Sequence, residues 1–146
     1  SSSAATIPVT LKTVTDDLGV KKDVSSFVIP VGATINMDGT AIMQGLATMF
    51  IASTAGVDLS MIEYLQIVLL AMVASIGAAA VPSAGTITLA LILSSLGLPL
   101  DAIGLILAVD RILDMIRTSV NVTGDSAIAC IVADSENLLD KEVFNK

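Results

Sequence analysis

Histidine and tryptophan are absent from the 146 residues, and cysteine occurs once, at Cys130. Without histidine, and with a single thiol, the chain has no Ser-His-Asp triad, no cysteine-rich or zinc site and no disulfide framework. Cys130 reads as a small helix-packing group. Aromatic residues amount to 3%, and no basic patch accompanies them, so nucleic-acid binding has no support. Charge is scarce as well: 14% of residues are charged, against about 25% in ordinary soluble domains. With 54% hydrophobic residues and a mean hydropathy of +0.89, the composition is too apolar for a soluble core and its polar coat. The formal charge of −7 does not point to a cationic partner, because several acids sit inside apolar runs and the rest lie in short loops and the tail. The chain also lacks an initiator Met and a signal peptide and begins abruptly at Ser1-Ser2-Ser3, which predicts a fragment of a longer protein.

What is present is a polar row inside an apolar setting. Asp110, Asp114, Arg117, Asn121 and Asp125 follow the spacing i, i+4, i+7, i+11, i+15, which places them in one stripe of an α-helix. Their neighbours are mainly Ile, Leu, Val, Ala and Met, and ionisable groups at membrane depth are costly and mark function. Asp114 and Arg117, one turn apart, would also be explained as a structural ion pair. Three Asp, one Arg and one Asn on one face exceed what pairing requires. A carboxylate can hold an ammonium, and a guanidinium can grip a carboxylate through two parallel hydrogen bonds, so the mixture suits a zwitterion with an additional carboxylate. Arg111 lies about 100° off the stripe and reads as a counter-charge or interface residue.

Along the chain, residues 1–14 form a small-residue start and a short apolar piece containing Pro8, and 15–23 (TDDLGVKKD) reads as a solvated loop. Val24 to Val57 carries one charge, Asp38, and is long enough to cross a bilayer, which takes about 20 apolar residues. Gly32, Asn36, Asp38 and Gly39 interrupt its middle, which predicts a helix broken near the membrane midplane. Asn and Asp supply oxygens there and a break frees carbonyls, as hard cations such as sodium require. A break capped by Asn or Asp at an aqueous surface would use the same letters. Tyr64 to Leu100 is uncharged and too long for one span, and Gly77, Pro82 and Gly85 punctuate its centre. It reads as a re-entrant hairpin, with a two-span crossing as the competing topology. Ala102 to Ala133 is the final span and 134–146 a polar tail. Lys21, Lys22, Lys141 and Lys146 place the first loop and the tail in the cytoplasm, and the loops at 56–63 and 95–104, which hold no Lys or Arg, outside. That assignment closes only with the hairpin.

Four motifs in this order, SSSAATIPVT, NMDGT, VPSAG and DMIRTSVNVTGD, resemble the sodium-coupled glutamate/aspartate transporters, the dicarboxylate/amino acid:cation symporter family. The match covers essentially the whole chain. The resemblance implies an all-α membrane protein with the broken transmembrane helices and re-entrant helical hairpins of an elevator-type transport domain. The chain would be its C-terminal part: 1–14 the second arm of an inner hairpin, 24–54 a broken span, 62–96 an outer re-entrant hairpin, 102–133 the final span and 134–146 a cytoplasmic tail. The scaffold half is missing from the sequence, and the full-length protein would be a homotrimer in the plasma (inner) membrane.

The resemblance further implies that Asp114 holds the substrate α-amino group and Arg117 its side-chain carboxylate. Thr118 and Asn121 would line the site, Ser3 would offer its backbone to the α-carboxylate, and Thr40 and Gly85 would complete the pocket. One sodium would sit on Asp125 with carbonyls of Gly32, Asn36 and Asn121. A second would use carbonyls of Thr34, Ser75, Ile76 and Ala78, and a third Asp38 with the Asn36 side chain and partners upstream. Ala4 replaces the last serine of the inner tip, Ser83 stands where a Gly is frequent, and Ala78 replaces a frequent Thr. Gln44 stands where eukaryotic relatives carry a glutamate tied to proton coupling, which argues against that route. Arg117 favours an acidic side chain, and Asp114 an amino acid over a plain dicarboxylate; aspartate and glutamate stay unranked. The expected function is sodium-coupled symport of aspartate or glutamate. A proton-coupled dicarboxylate transporter, an intramembrane aspartyl protease built on Asp38 and Asp125, and a channel-forming bundle are the alternatives.

Overall fold

The computed structural model describes residues 2–77 and 84–146, which are helical throughout apart from loops and one isolated antiparallel bridge between Val20 and Leu139. Ser2 opens α1 (Ser3–Lys12): its backbone is extended and its hydroxyl accepts from the Ala5 N–H at 3.2 Å. The helix runs into a π-helical turn at Thr13–Asp17. There Val14 is fully buried, and the Thr15 hydroxyl bonds to that of Ser25 at 3.1 Å. Segment 15–23 is therefore not the solvated loop its charges imply. Only residues 18–21 are irregular before α2 (Lys22–Ile35), and Val20 among them is buried. Apolar residues set between the charges draw this stretch onto the helices.

After α2 the helix stops for two residues, Asn36 (φ −110°, ψ 73°) and Met37 (φ −109°, ψ 59°), and resumes as α3 (Asp38–Thr54). An asparagine side chain competes with helical backbone bonding, and an acid in a first turn suits the helix dipole, so the residues that predict an interruption also fix where it falls. A capping box starts α4 (Met61–Gly77): the Glu63 carboxylate accepts from the Ser60 N–H at 2.7 Å while the Glu63 N–H reaches back to the Ser60 hydroxyl at 3.4 Å. Next come α5 (Ala84–Ser95), a 3-10 turn at Leu100–Ala102, α6 (Ile103–Leu107), α7 (Asp110–Ser135) and the short α8 (Lys141–Phe144). The expected continuous span from 102 to 133 is thus two helices, because Val109 (φ −117°, ψ 1°) leaves the helical region and α7 starts afresh at Asp110.

Three helices close with one device. Gly56, Gly97 and Asn137 have φ of +69°, +67° and +57°, and the next residue in each case donates back to Ala52, Leu93 or Ala133 (2.9, 2.9 and 2.7 Å). After the last two, Leu98 and Leu138 turn inward and join the two apolar clusters that close the ends of the molecule. One cluster combines Met43, Ala47, Ile51, Leu89, Leu93, Leu98 and Ile106, with Leu59 and Ile103 against it. The other combines Val14, Val20, Val24, Ile29, Ala129 and Ala133, with Leu138 and Leu139 against it. Passing from α2 to α3 the chain leaves the second cluster for the first, and α7 makes the return journey. The centre of the molecule lies between them, where the helix break faces the middle of α7.

The tail also folds back. Lys21 N–H donates to Leu138 O (3.1 Å) and Asp140 N–H to Gly19 O (2.8 Å), while Lys141 pairs with Asp134 (2.9 Å). Gly19 (φ +71°) is required twice, because a Cβ there would also lie 2.6 Å from the Asp140 carbonyl oxygen.

Among the described residues no helix is long and apolar enough to cross a membrane. The helices on either side of the break are short, and α7, at 26 residues, carries Asp110, Arg111, Asp114, Arg117, Asp125 and Asp134. Polarity is nonetheless inverted relative to a soluble domain. Phe27 is 70% exposed and Leu46 63%, whereas Asp125 is 1% exposed and Asp114 2%.

Candidate functional site

The buried face of α7 is the polar stripe: Asp110, Asp114, Arg117, Thr118, Asn121 and Asp125 face inward, followed by Ala129 and Ala133. Arg111 lies outside it and is exposed. Opposite the middle of the stripe, the helix break turns backbone donors and side chains toward α7. Gly39 N–H donates to Asn121 Oδ1 (2.8 Å), and Asn121 Nδ2 donates to Thr40 Oγ1 (3.4 Å). Gly39 fits because a Cβ would overlap the Arg117 carbonyl oxygen and come within 3.0 Å of Val120 Cβ. The start of α3 is thereby fastened to α7 at Asn121.

Arg117 Nη2 bonds to Asp114 Oδ1 as a buried ion pair. The pair does not exhaust either side chain: Asp114 Oδ2 and Arg117 Nη1 are buried with no hydrogen-bond partner among the described residues. A buried carboxylate oxygen and a buried guanidinium nitrogen left in this way are expensive unless a ligand completes them. Gly85, in the first turn of α5, lies against that same Nη1, and a Cβ at Gly85 would overlap it and reach Thr40 Cγ2 at 3.6 Å. Asp114, Arg117 and Gly85 therefore lie together, and Thr40 and Asn121, hydrogen-bonded to each other, stand beside them. Thr118 is buried on the same face of α7. Ser3 is buried in the first turn of α1, which packs on α2 and α7, and its carbonyl accepts from the Thr6 hydroxyl (2.8 Å).

One turn further along α7, Asn36 Nδ2 donates to Asp125 Oδ1 at 3.0 Å. Gly32 abuts this carboxylate so closely that a Cβ would overlap Oδ1, and the Gly32 carbonyl accepts from Asn36 N–H (2.8 Å). Asn36 Nδ2 and Asp38 Oδ2 both flank Gly124, 3.1 and 3.4 Å from where its Cβ would stand. Asp38 itself is exposed, lining an open hollow with Ser119, Val120, Thr123 and Gly124. Gly32, Asn36, Asp38 and Asp125 thus form a second group, of carboxylate, amide and carbonyl oxygens, while Asn121, one turn before Asp125, bonds to Gly39 and Thr40. Among the described residues no three His, Cys, Asp or Glu side chains gather as a metal site, but oxygen-rich sites for hard cations draw on carbonyls and amides as well.

The remaining expected cation set is not joined by recorded bonds. Thr34 is exposed and its hydroxyl donates to Val31 O (2.8 Å); Ser75 is buried and donates to Met72 O (2.8 Å); Ile76 is exposed. Their helices α2 and α4 do pack together. Ala78 and the Val81-Pro82-Ser83 part of the outer tip lie outside the described residues.

With this geometry in hand, the model of the sodium:dicarboxylate symporter family matches residues 1–135. The chain belongs to the sodium:dicarboxylate symporter family. It is 52% identical to an excitatory amino acid transporter of Caenorhabditis elegans over 132 residues, covering 90% of this chain and 26% of that protein. Excitatory amino acid transporter 2 of Mus musculus is 54% identical over 132 residues, with 90% and 23% covered, and excitatory amino acid transporter 1 of Homo sapiens is 49% identical over 146 residues, with 100% and 26% covered. The chain spans about a quarter of the length of these symporter-family relatives. Each of these relatives carries the name of a transporter. The family reading passed over Gly39, Gly124 and Thr88. Gly39 and Gly124 act through close approach or backbone donation and Thr88 through its hydroxyl, each toward a helix distant in sequence; one legible hint was the glycine following Asp38 in NMDGT.

Proposed function

We propose that the full-length protein carrying this chain is a cation-coupled symporter, with sodium as the coupling ion and aspartate or glutamate as the substrate. The observation that carries this reading is the buried Asp114–Arg117 pair, with one oxygen and one nitrogen that have no partner among the described residues. An amino acid with an acidic side chain has the complement of both. Its ammonium suits Asp114 Oδ2, and its side-chain carboxylate suits Arg117 Nη1. A plain dicarboxylate would leave the Asp114 oxygen facing a second anion.

Sodium on Asp125, with oxygens of Gly32, Asn36 and Asn121, neutralises a buried carboxylate and holds the broken backbone in place. A second ion at Asp38 and Asn36 would draw its remaining ligands from upstream sequence, which suits the exposure of Asp38. A third would take the carbonyls of Thr34, Ser75, Ile76 and Ala78. Asn121 and the break are shared by substrate and cation groups, so each ligand raises the affinity of the other by linkage.

In the bilayer, α4 and α5 act as a re-entrant hairpin. At about 1.5 Å per residue, the 17 and 12 described residues of these helices reach about 26 and 18 Å, against a core of about 30 Å. Segments 15–23 and 134–146 face the cytoplasm of a multi-pass plasma-membrane protein, a reading supported by their mutual hydrogen bonds. The whole unit moves as an elevator against the scaffold of a homotrimer. Isotope uptake by the intact protein tests the reading: aspartate or glutamate accumulates with an inward sodium gradient. Accumulation driven equally well by a proton gradient without sodium would overturn the sodium assignment.

A further inference from the structure

Gln44 is fully buried in α3, yet it belongs to neither the substrate group nor the cation group. Its Nε2 bonds to Thr88 Oγ1 in α5, and Thr88 Oγ1 donates to the Gly85 carbonyl at 3.1 Å. The Gly85 carbonyl only accepts, so the Thr88 hydroxyl donates to it and accepts from the Gln44 NH2, while the Gln44 amide oxygen is buried without a hydrogen-bond partner among the described residues. At the same point of α3, Thr48 Oγ1 donates to the Gln44 carbonyl at 2.8 Å. At the other end of the chain, Gly85 presses on Arg117 Nη1.

We infer that Gln44 and Thr88 form a latch that fixes the first turn of α5 over Arg117, and that they are positioning residues for recognition of the substrate carboxylate. The inference rests on the proposed transport function for its consequence, though not for its geometry. The guanidinium nitrogen left free for a ligand is the one Gly85 covers. A displacement of that turn changes the space beside Nη1 without removing any group that touches substrate. Neither latch residue carries charge, so the latch works by directional hydrogen bonding alone, and only a hydroxyl at 88 that both accepts and donates completes it.

Two measurements on the full-length protein test this. Hydrogen exchange of the backbone amides at 85–89 is expected to rise about tenfold in Thr88→Val and in Gln44→Met, and to stay near wild type in Thr88→Ser, which keeps the hydroxyl. Unchanged exchange in both disrupting variants would overturn the latch. In uptake assays, the same two variants are expected to raise KM for the acidic amino acid about tenfold with little change in maximal rate. The double variant should be no worse than either single one, because both break one chain. A hundredfold, additive loss would mean that the two residues act separately, and a loss confined to maximal rate would assign them to another step. Should the wild-type protein carry no acidic amino acid, the proposed function falls, and hydrogen exchange still decides the latch.

Discussion

Arg117 makes one bond to Asp114, touches Gly85 and keeps a nitrogen without a partner among the described residues. If that nitrogen reads the substrate side-chain carboxylate, Arg117→Cys should shift preference toward small neutral amino acids in competition assays; retained selectivity for aspartate or glutamate would count against the assignment. Gly32 gives a second prediction at this scale. A methyl group there would overlap Asp125 Oδ1, and overpacking of this kind costs about 1–3 kcal/mol. Gly32→Ala is therefore expected to raise the sodium concentration for half-maximal uptake by about tenfold, measured at saturating substrate, while an unchanged sodium response would remove Gly32 from the site. The polar stripe on α7 was legible from spacing alone, because helical period and costly charges leave few other arrangements. The close approaches of Gly32, Gly39 and Gly85 were not, because a glycine's letter does not say which distant atom comes near it.

Among the elements, the break between α2 and α3 was readable from Gly32, Asn36, Asp38 and Gly39, since asparagine, aspartate and glycine all weaken a helix interior. The stop at Val109 was not, because valine, alanine and leucine around it give no local signal. The π-helical turn at Thr13–Asp17 and the docked tail were hidden for a related reason. Their charged residues look solvated, while Val14, Val20, Leu138 and Leu139 tie the backbone down. Gly19 is the pivot of that docking. Gly19→Ala is expected to lower stability by about 1–3 kcal/mol through strain at positive φ and the clash with Asp140 O. Thermal unfolding of the purified full-length protein checks this, and an unshifted midpoint would show that the tail contact adds nothing.

For the molecule as a whole, the two apolar clusters carry the topology. Leu59, Leu96, Leu98 and Ile103 meet at one end, and Leu18, Val20, Leu138 and Leu139 at the other. The residues beside the Lys-bearing segments and those beside the Lys-free loops thus belong to different clusters, and the charge bias would put these on opposite sides of the membrane. In a Cys130→Ala background, Asp58→Cys should react with an impermeant thiol reagent added outside intact cells, and Asn145→Cys only after permeabilisation; the reverse pattern would invert the assignment. Between the two ends lies the polar centre, where the carboxylate of Asp125, the Asn36 amide and the stripe of α7 meet. Cation coupling through that centre is tested most directly by Asp125→Asn in the full-length protein, followed as uptake of labelled aspartate and glutamate with and without sodium. Sodium-driven uptake should vanish while the protein still reaches the membrane. Uptake and sodium dependence equal to those of the wild type would contradict the account.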